Sequence, residues 1–380
     1  MQTVEILERL VGFPTLSRQP NRDLIAYARE ILTAAGARCW LDAHTDGTRA
    51  NLFASLGPEG PGGVILSGHT DVVPVEGQLW SSDPFCLTER DGRLYGRGTA
   101  DMKGFVAAAL AAACRARDLS APLHLALSYD EEIGCVGIRS LIAALAKAPE
   151  RPALCLVGEP TSMAVATGHK GKRVFRAVCH GRAGHSALAP RAMNALHLAA
   201  DLVRALRDEQ VRIAAEGLRD AEYDIPYSTL HAGILRAGAQ INIVPDSAEL
   251  DFEIRHLPGE DAEELVARLK AAAERIVEAT EDADARIEIE EVNAYPGLDT
   301  AVGSEAVGFV KSLTGANGSI KVAFGTEGGL FARDLDVPVV ICGPGSMSQG
   351  HKPDEFVSLE QLAACDAMLD ALLARLRQGL

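Results

Sequence analysis

The chain has no Cys-x-x-Cys pair: its eight cysteines, at 39, 86, 114, 135, 155, 179, 342 and 365, are scattered, mostly among apolar or small residues. That pattern argues against a disulfide framework or a thiolate metal site and points to reduced, structural thiols. Basic clusters are just as scarce. Nothing longer than Lys170-Gly171-Lys172-Arg173 occurs in a chain of net charge −15, which argues against nucleic-acid and anionic-membrane partners. The longest purely apolar stretch, Phe105 to Cys114, is far short of the roughly 20 residues a bilayer needs and reads as a buried helix. The first residues carry Glu5 and Glu8 in an amphipathic helical pattern and lack a basic segment followed by an apolar one, so a cytoplasmic location is expected. A Gly-x-Gly-x-x-Gly turn after a first strand is also missing, which speaks against a nucleotide-dependent oxidoreductase.

What is present is ample apolar material, 47% of 380 residues, enough for two cores. The runs Val64-Ile65-Leu66, Leu123 to Ser128, Ala153 to Val157 and Val337 to Cys342 have strand length and the continuous apolar character of a sheet buried on both faces. They alternate with helix-like segments, including the Ala-rich one after Gly104, as in a parallel βα sheet. The middle of the chain differs. Arg173 to His180 reads as a strand, Pro190 to Leu206 as a helix, Glu249 to Arg255 as an alternating strand, Asp261 with Glu264 as a helix start, and Ala285 to Val292 as a closing strand. The order β-α-β-β-α-β is that of a ferredoxin-like unit. The expected fold is therefore α/β: a mostly parallel sheet flanked by helices over 1–172 and 294–380, with an α+β insert over 173–293.

Chemistry-bearing residues gather just beyond the buried runs and in Gly-rich loops, where open α/β sheets bind ligands. His69 stands in Gly68-His69-Thr70-Asp71, so Asp71, two residues on, could orient the imidazole. Asp101 lies in Gly96-Arg97-Gly98-Thr99-Ala100-Asp101-Met102-Lys103-Gly104, a loop that can approach an ion closely. Glu131 and Glu132 are adjacent and project differently, so one can bind metal while the other faces substrate. With Glu159 and His351 these form an oxygen–nitrogen donor set suited to zinc, manganese or cobalt. Each acid alone reads as a solvated loop charge, and His351 alone as a surface histidine; only jointly do they read as a site. His124 lies inside a buried strand and reads as a core residue, and His169, His180, His197, His231 and His256 as structural or surface residues.

Together with Val157-Gly158-Glu159-Pro160-Thr161, Gly184-His185-Ser186 and Gly350-His351-Lys352-Pro353-Asp354-Glu355, these phrases closely resemble the M20 family of dizinc amidohydrolases and peptidases. The resemblance runs essentially the full length, with six separated motifs in the family's order. It implies two divalent ions, zinc with cobalt or manganese able to substitute: His69 and Glu159 on one, Glu132 and His351 on the other, and Asp101 bridging. It makes Glu131 the general acid/base for a water activated between the ions, and implies a cis peptide bond after Asp101. In the insert it makes His185 an oxyanion donor reaching the partner subunit's site, and Asn242 and Arg255 the groups holding the substrate's carbonyl and carboxylate. Gly325-Thr326-Glu327-Gly328-Gly329 resembles the substrate-binding loop, represented by Gly325 and Thr326. A plain cross-strand ion pair for Arg255 and a plain Gly-rich turn at 325–329 remain open readings.

The activity this implies is hydrolysis of a small N-acyl amino acid, first of all N2-acetyl-L-ornithine to L-ornithine and acetate in arginine biosynthesis. The partner expected is a second copy of the chain, docked through the insert, with the strand at Arg173 to His180 and the helix at Pro190 to Leu206 building the interface. The nearest rival cleaves succinyl-diaminopimelate. Its relatives place an Arg-Arg-Gly-Ser-like sequence where this chain has Gly168-His169-Lys170-Gly171-Lys172-Arg173-Val174. A dipeptidase or broad aminoacylase is a third reading. A non-catalytic metal-binding scaffold would keep the fold but would have no need of Glu131.

Overall fold

A computed structural model describes residues 2–148 and 151–379. The chain divides into two compact units. The first comprises 1–168, 298–322 and 326–380; the second comprises 169–297 with 323–325, so the division falls a few residues from the 172/173 and 293/294 boundaries expected above. Among the described residues no helix is long and apolar enough to cross a membrane.

The first unit is built on a nine-stranded sheet whose central strands are parallel. Val64–His69 lies between Leu123–Ser128 and Leu154–Val157, and Val339–Ile341 pairs with the far side of the last. Every residue of these four strands is buried, as continuous apolar runs require. Flanking strands join antiparallel: Ala50–Leu56 pairs with Leu123–Ser128 on one side, and Ala166 with Ile341 on the other. The Ala-rich run is the helix Gly104–Arg115, buried from Gly104 to Ala113 and packed by the helices Thr3–Val11, Arg22–Ala34 and Leu359–Gln378. Small side chains let those neighbours approach. Gly158, at the end of its strand, is required by the Phe105 ring of this helix, which a Cβ at 158 would meet at 1.9 Å. The close approach fixes where Glu159 leaves the sheet.

The second unit is a four-stranded antiparallel sheet in the order Thr229–Ala237, Ser247–His256, Gly171–His180, Arg286–Tyr295, which is the ferredoxin-like arrangement. Leu250, Phe252 and Ile254 alternate onto the face that packs against the helices Ala195–Glu216 and Ala262–Glu278, and Phe252 stacks on Phe175 with ring centroids 5.2 Å apart. Asp261 starts the second helix by accepting the N–H groups of Glu263 and Glu264.

Two expectations change here. The strand at 171–180 lies inside the sheet, hydrogen-bonded on both sides, so it cannot pair across a subunit axis; among the described residues the outer strands of this sheet are 229–237 and 286–295. The helix expected from Pro190 is instead a 3₁₀ segment, Ser186–Arg191, followed by a new start at Ala195. There the Asn194 side chain caps the Leu196 N–H at 2.9 Å. A proline within that segment has no N–H to give to a continuing α-helix.

Candidate metal centre

Three neighbouring parallel strands bring the site together. His69 is the last residue of the middle strand, Glu131 and Glu132 follow the strand ending at Ser128, and Glu159 follows the one ending at Val157. All leave the same carboxyl edge. Asp101 arrives from the turn Thr99–Lys103 that precedes the Ala-rich helix, and the peptide bond between Asp101 and Met102 is cis. Gly98 opens that turn at φ +82°, with the Val72 side chain where a Cβ would sit. His351 arrives from the loop before Phe356–Ser358.

Asp101 sits between the imidazoles. Its Oδ1 is 3.0 Å from His69 Nε2 and its Oδ2 is 3.2 Å from His351 Nε2. His351 Nε2 is also 3.0 Å from Glu132 Oε2, and His69 Nε2 lies 3.9 Å from Glu159 Oε1. Two sets of donor atoms each converge within 4.8 Å: His69, Glu131 and Glu159, and His69, Asp101 and Glu132. These groups include Glu131, read from sequence as the general acid/base, and His69 belongs to both.

The electrostatics test whether a cation fits. Glu131 and Glu132 are pushed up to about 8 and about 7, first by burial and then by the neighbouring acids, and Glu159 is raised by the same causes. His351 is raised to about 10 by its hydrogen bonds to Asp101 and Glu132. His69 is raised despite its burial by the bond to Asp101 and that residue's charge. Asp101 is held well below its ordinary range because the hydrogen bonds from both histidines outweigh burial. Without a cation the cluster is neutral only by holding extra protons; divalent ions supply the missing charge and suit an oxygen–nitrogen donor set. The residues fit divalent metal.

The surroundings position these groups. His69 Nδ1 is 2.9 Å from the main-chain carbonyl of Asp71, whereas the Asp71 carboxylate stands 3.6 Å away. The carbonyl, and not the carboxylate expected from sequence, is the closer partner of the imidazole, because the chain turns just past the strand end. The carboxylate is used elsewhere: it accepts the N–H groups of Glu131 and Glu132 at 3.0 and 3.3 Å and the Ser17 hydroxyl at 2.8 Å. Asp71 therefore aims both glutamates. The Cys135 thiol donates to Glu131 Oε1 at 3.2 Å. Glu327 is a buried acid that the sequence reading passed over. It accepts from the Ser67 hydroxyl at 3.2 Å and is pushed up to about 7 by burial. Its position one residue beyond Thr326 in the Gly-rich phrase was the available signal.

The remaining candidates have clear local surroundings. The Thr326 hydroxyl accepts the Gly328 N–H at 2.9 Å at the start of the helix Gly328–Leu335. Gly325 is required by the Tyr295 ring, whose hydroxyl a Cβ would meet at 2.2 Å. Arg255 is bonded to Glu253, two residues away on its own strand, at 3.0 Å and to the Tyr295 hydroxyl at 3.1 Å. His185, on a two-stranded ribbon with Ile243–Val244, and Asn242, in the turn before that second strand, are exposed neighbours, with Ser186 N–H on the Asn242 carbonyl at 3.0 Å. His185 Nδ1 accepts the Ala187 N–H at 3.1 Å, which leaves Nε2 as the protonated nitrogen of the neutral ring.

Comparison with known proteins places the chain among relatives. The profile of peptidase family M20/M25/M40 matches residues 65–375. An acetylornithine deacetylase from Myxococcus xanthus is 33% identical over 379 residues, covering 98% of this chain and 97% of the relative. Another, from Pasteurella multocida, is 33% identical over 390 residues, covering 99% and 98%. In fold the chain resembles an M20-family metallo-carboxypeptidase from Sulfolobus solfataricus, with a TM-score of 0.80 over 100% of both chains at 18% identity. It also resembles a dinuclear metal-binding M20 peptidase from Bacillus subtilis, with a TM-score of 0.70 over 98% and 96% at 16% identity.

Proposed function

The chain belongs to peptidase family M20/M25/M40 and is a metallo-amidohydrolase, and from that premise we propose that it removes the acetyl group of N2-acetyl-L-ornithine using two divalent ions, zinc or cobalt. The observation that carries the chemistry is the set of four carboxylates and two imidazoles at one sheet edge, buried except for the half-exposed His351 and the partly buried Glu132, with two of the acids aimed by Asp71. The substrate rests on the full-length relatives bearing that activity in their names.

When bound, such ions lower the pKa of a water and polarise the acyl carbonyl. His69 and Glu159 would hold one, Glu132 and His351 the other, with Asp101 between them. Glu131 is the proton carrier: a carboxylate raised by burial takes the proton from water and returns it to the leaving amine. The hydrogen bond from Cys135 and the backbone hold of Asp71 keep it in place. His185, whose Nδ1 accepts the Ala187 N–H, offers its Nε2 to the charge that develops on the carbonyl oxygen, and Asn242, beside it, a contact to the acyl group. Arg255 is the cation for the substrate carboxylate.

Homodimerisation through the second unit is part of this reading. The outer strand at 229–237 carries Ile234 and Leu235, 44% and 43% exposed, which a partner's edge would cover. His185 would then serve the partner's centre. Mixing His185→Ala subunits with Glu131→Gln subunits restores activity if sites are shared. No recovery despite demonstrated subunit exchange contradicts the cross-subunit role.

A panel of N-acyl amino acids, assayed with zinc and with cobalt, tests the substrate. The expected outcome is the highest kcat/KM for N2-acetyl-L-ornithine. A higher value for succinyl-diaminopimelate or for a dipeptide refutes the proposal.

A further inference from the structure

We infer that Glu355 is a positioning residue that locks the Asp101 turn and the His351 loop into one register, so that the ion shared by Asp101, Glu132 and His351 depends on it. The inference rests on the metal-centre reading above. Glu355 and Arg97 are each 1% exposed. One carboxylate oxygen, Oε2, accepts the Gly98 N–H at 3.0 Å and Arg97 Nη1 at 2.7 Å; the other accepts the N–H groups of Ala100 and Asp101 at 2.9 and 3.0 Å. Three main-chain donors thus converge on one anion in a concave nest, made possible by the left-handed Gly98. Four donors use both oxygens. Glu355 is therefore a support for the ligands and not a ligand itself.

The same network reaches the other ligand. Arg97 Nη1 also donates to the Lys352 carbonyl at 3.3 Å, and its Nη2 donates to Gln78 Oε1 at 2.5 Å. Gln78 Nε2 in turn donates to the His351 carbonyl at 3.0 Å. The Gly96 N–H closes the frame on the Glu355 carbonyl at 3.0 Å. The His351 side chain is half-exposed, so the backbone hold of Gln78 and Arg97 is what sets its distance from Asp101. A buried charge pair that served the fold alone would have no reason to link the two loops that carry metal-binding side chains.

The experiment is a cobalt(II) titration of the metal-free full-length protein, read by visible absorption and by isothermal calorimetry, with melting of the metal-free form alongside. Glu355→Gln keeps the size but turns an NH₂ group toward N–H donors. The more weakly held ion, or the sole ion if the wild type takes up one, should bind about 10–100-fold less tightly, with an altered absorption band. Gln78→Ala leaves all four donors on Glu355 in place and removes the link to His351, together with the Gln78 acceptor of Arg97 Nη2 and Trp80 Nε1; it should weaken the same ion by about tenfold or less. Wild-type affinity and spectrum in Glu355→Gln, with only a lower melting temperature, overturn the proposal. Should Glu355→Gln not fold, Gln78→Ala decides, and unchanged cobalt affinity there overturns it. A wild-type protein that takes up no cobalt overturns the metal reading and this inference together. Tight cobalt in wild type, lost in Glu132→Gln but kept in Glu355→Gln, overturns this inference alone.

Discussion

The acids of the candidate metal centre and the paired acids of the second unit are handled in opposite ways. In the second unit the carboxylates have fixed cations: Arg176 holds Asp251 at 2.7 Å, Lys172 and Arg255 hold Glu253 at 3.3 and 3.0 Å, and Arg173 holds both Glu263 and Glu291. At the metal centre, among the described residues, Asp101, Glu131, Glu132 and Glu159 have no Lys or Arg salt-bridge partner: Asp101, Glu132 and Glu159 face His69 or His351, and Glu131 accepts from the Cys135 thiol. Yet they are the more buried group, where an unbalanced charge costs most. The difference teaches that a buried acidic cluster without its own arginines is addressed to a mobile cation. The paired acids of the second unit shape a surface.

The comparison breaks first if metal is irrelevant. Dialysis against a chelator should abolish amide hydrolysis, and zinc or cobalt should restore it; full activity in metal-free protein would erase the contrast. Next, Glu131→Gln should lower kcat by roughly a hundredfold or more with metal content unchanged, the scale of general acid–base catalysis. Glu132→Gln should lose bound metal as well. Elemental analysis beside kinetics separates the two, and equal metal loss in both variants would make Glu131 a ligand.

A third prediction concerns a buried group of the second unit that is neutral by necessity. His169 is pushed down to about 4, first by burial and then by the Arg255 charge, against a hydrogen bond to the Lys170 carbonyl. The unfolded chain takes up the proton near 6.5, so the stability is whole above that pH and is lost as pH falls toward 4. Urea unfolding at pH 7 and 4.5 should show about 2–3 kcal/mol more acid loss in wild type than in His169→Gln. Parallel acid limbs would show that the ring stays solvated. Last and smallest, Arg173→Met should cost about 1 kcal/mol or less in thermal unfolding, as a part-exposed ion pair allows. A much larger loss would mean that the second unit, too, depends on buried charge.

Much of this was legible in the chain itself. Strands such as Leu123–Ser128 read directly because a strand buried on both faces is apolar throughout, and the second unit's strand at 247–256 read because its alternation survives burial of one face. The candidate metal ligands were legible as a set, since His69, Glu131, Glu132 and Glu159 sit at or just beyond strand ends and Asp101 and His351 in Gly-rich loops. Neighbour relations were not: alternation in 171–180 reports two faces but not whether both edges are paired. Side-chain destinations were equally hidden. Nothing local tells that Thr326 spends its hydroxyl on Gly328, or that the carbonyl of Asp71 reaches the imidazole before its carboxylate does. Arg97 and Glu355 are 258 positions apart, so only the fold reveals them as partners.

His69, Asp101, Glu132, Glu159 and His351 come from distant stretches of chain, at a strand end or in the short segments that follow strands and precede helices. An ion held among them is therefore a reversible cross-link, closing loops that the unfolded chain would otherwise leave open. Its grip adds to folding by mass action, on the order of 2.7 kcal/mol when free metal stands at a hundred times its dissociation constant. The melting temperature should accordingly track free metal. A cell starved of that ion would first lose turnover and then, through unfolding and proteolysis, the polypeptide itself.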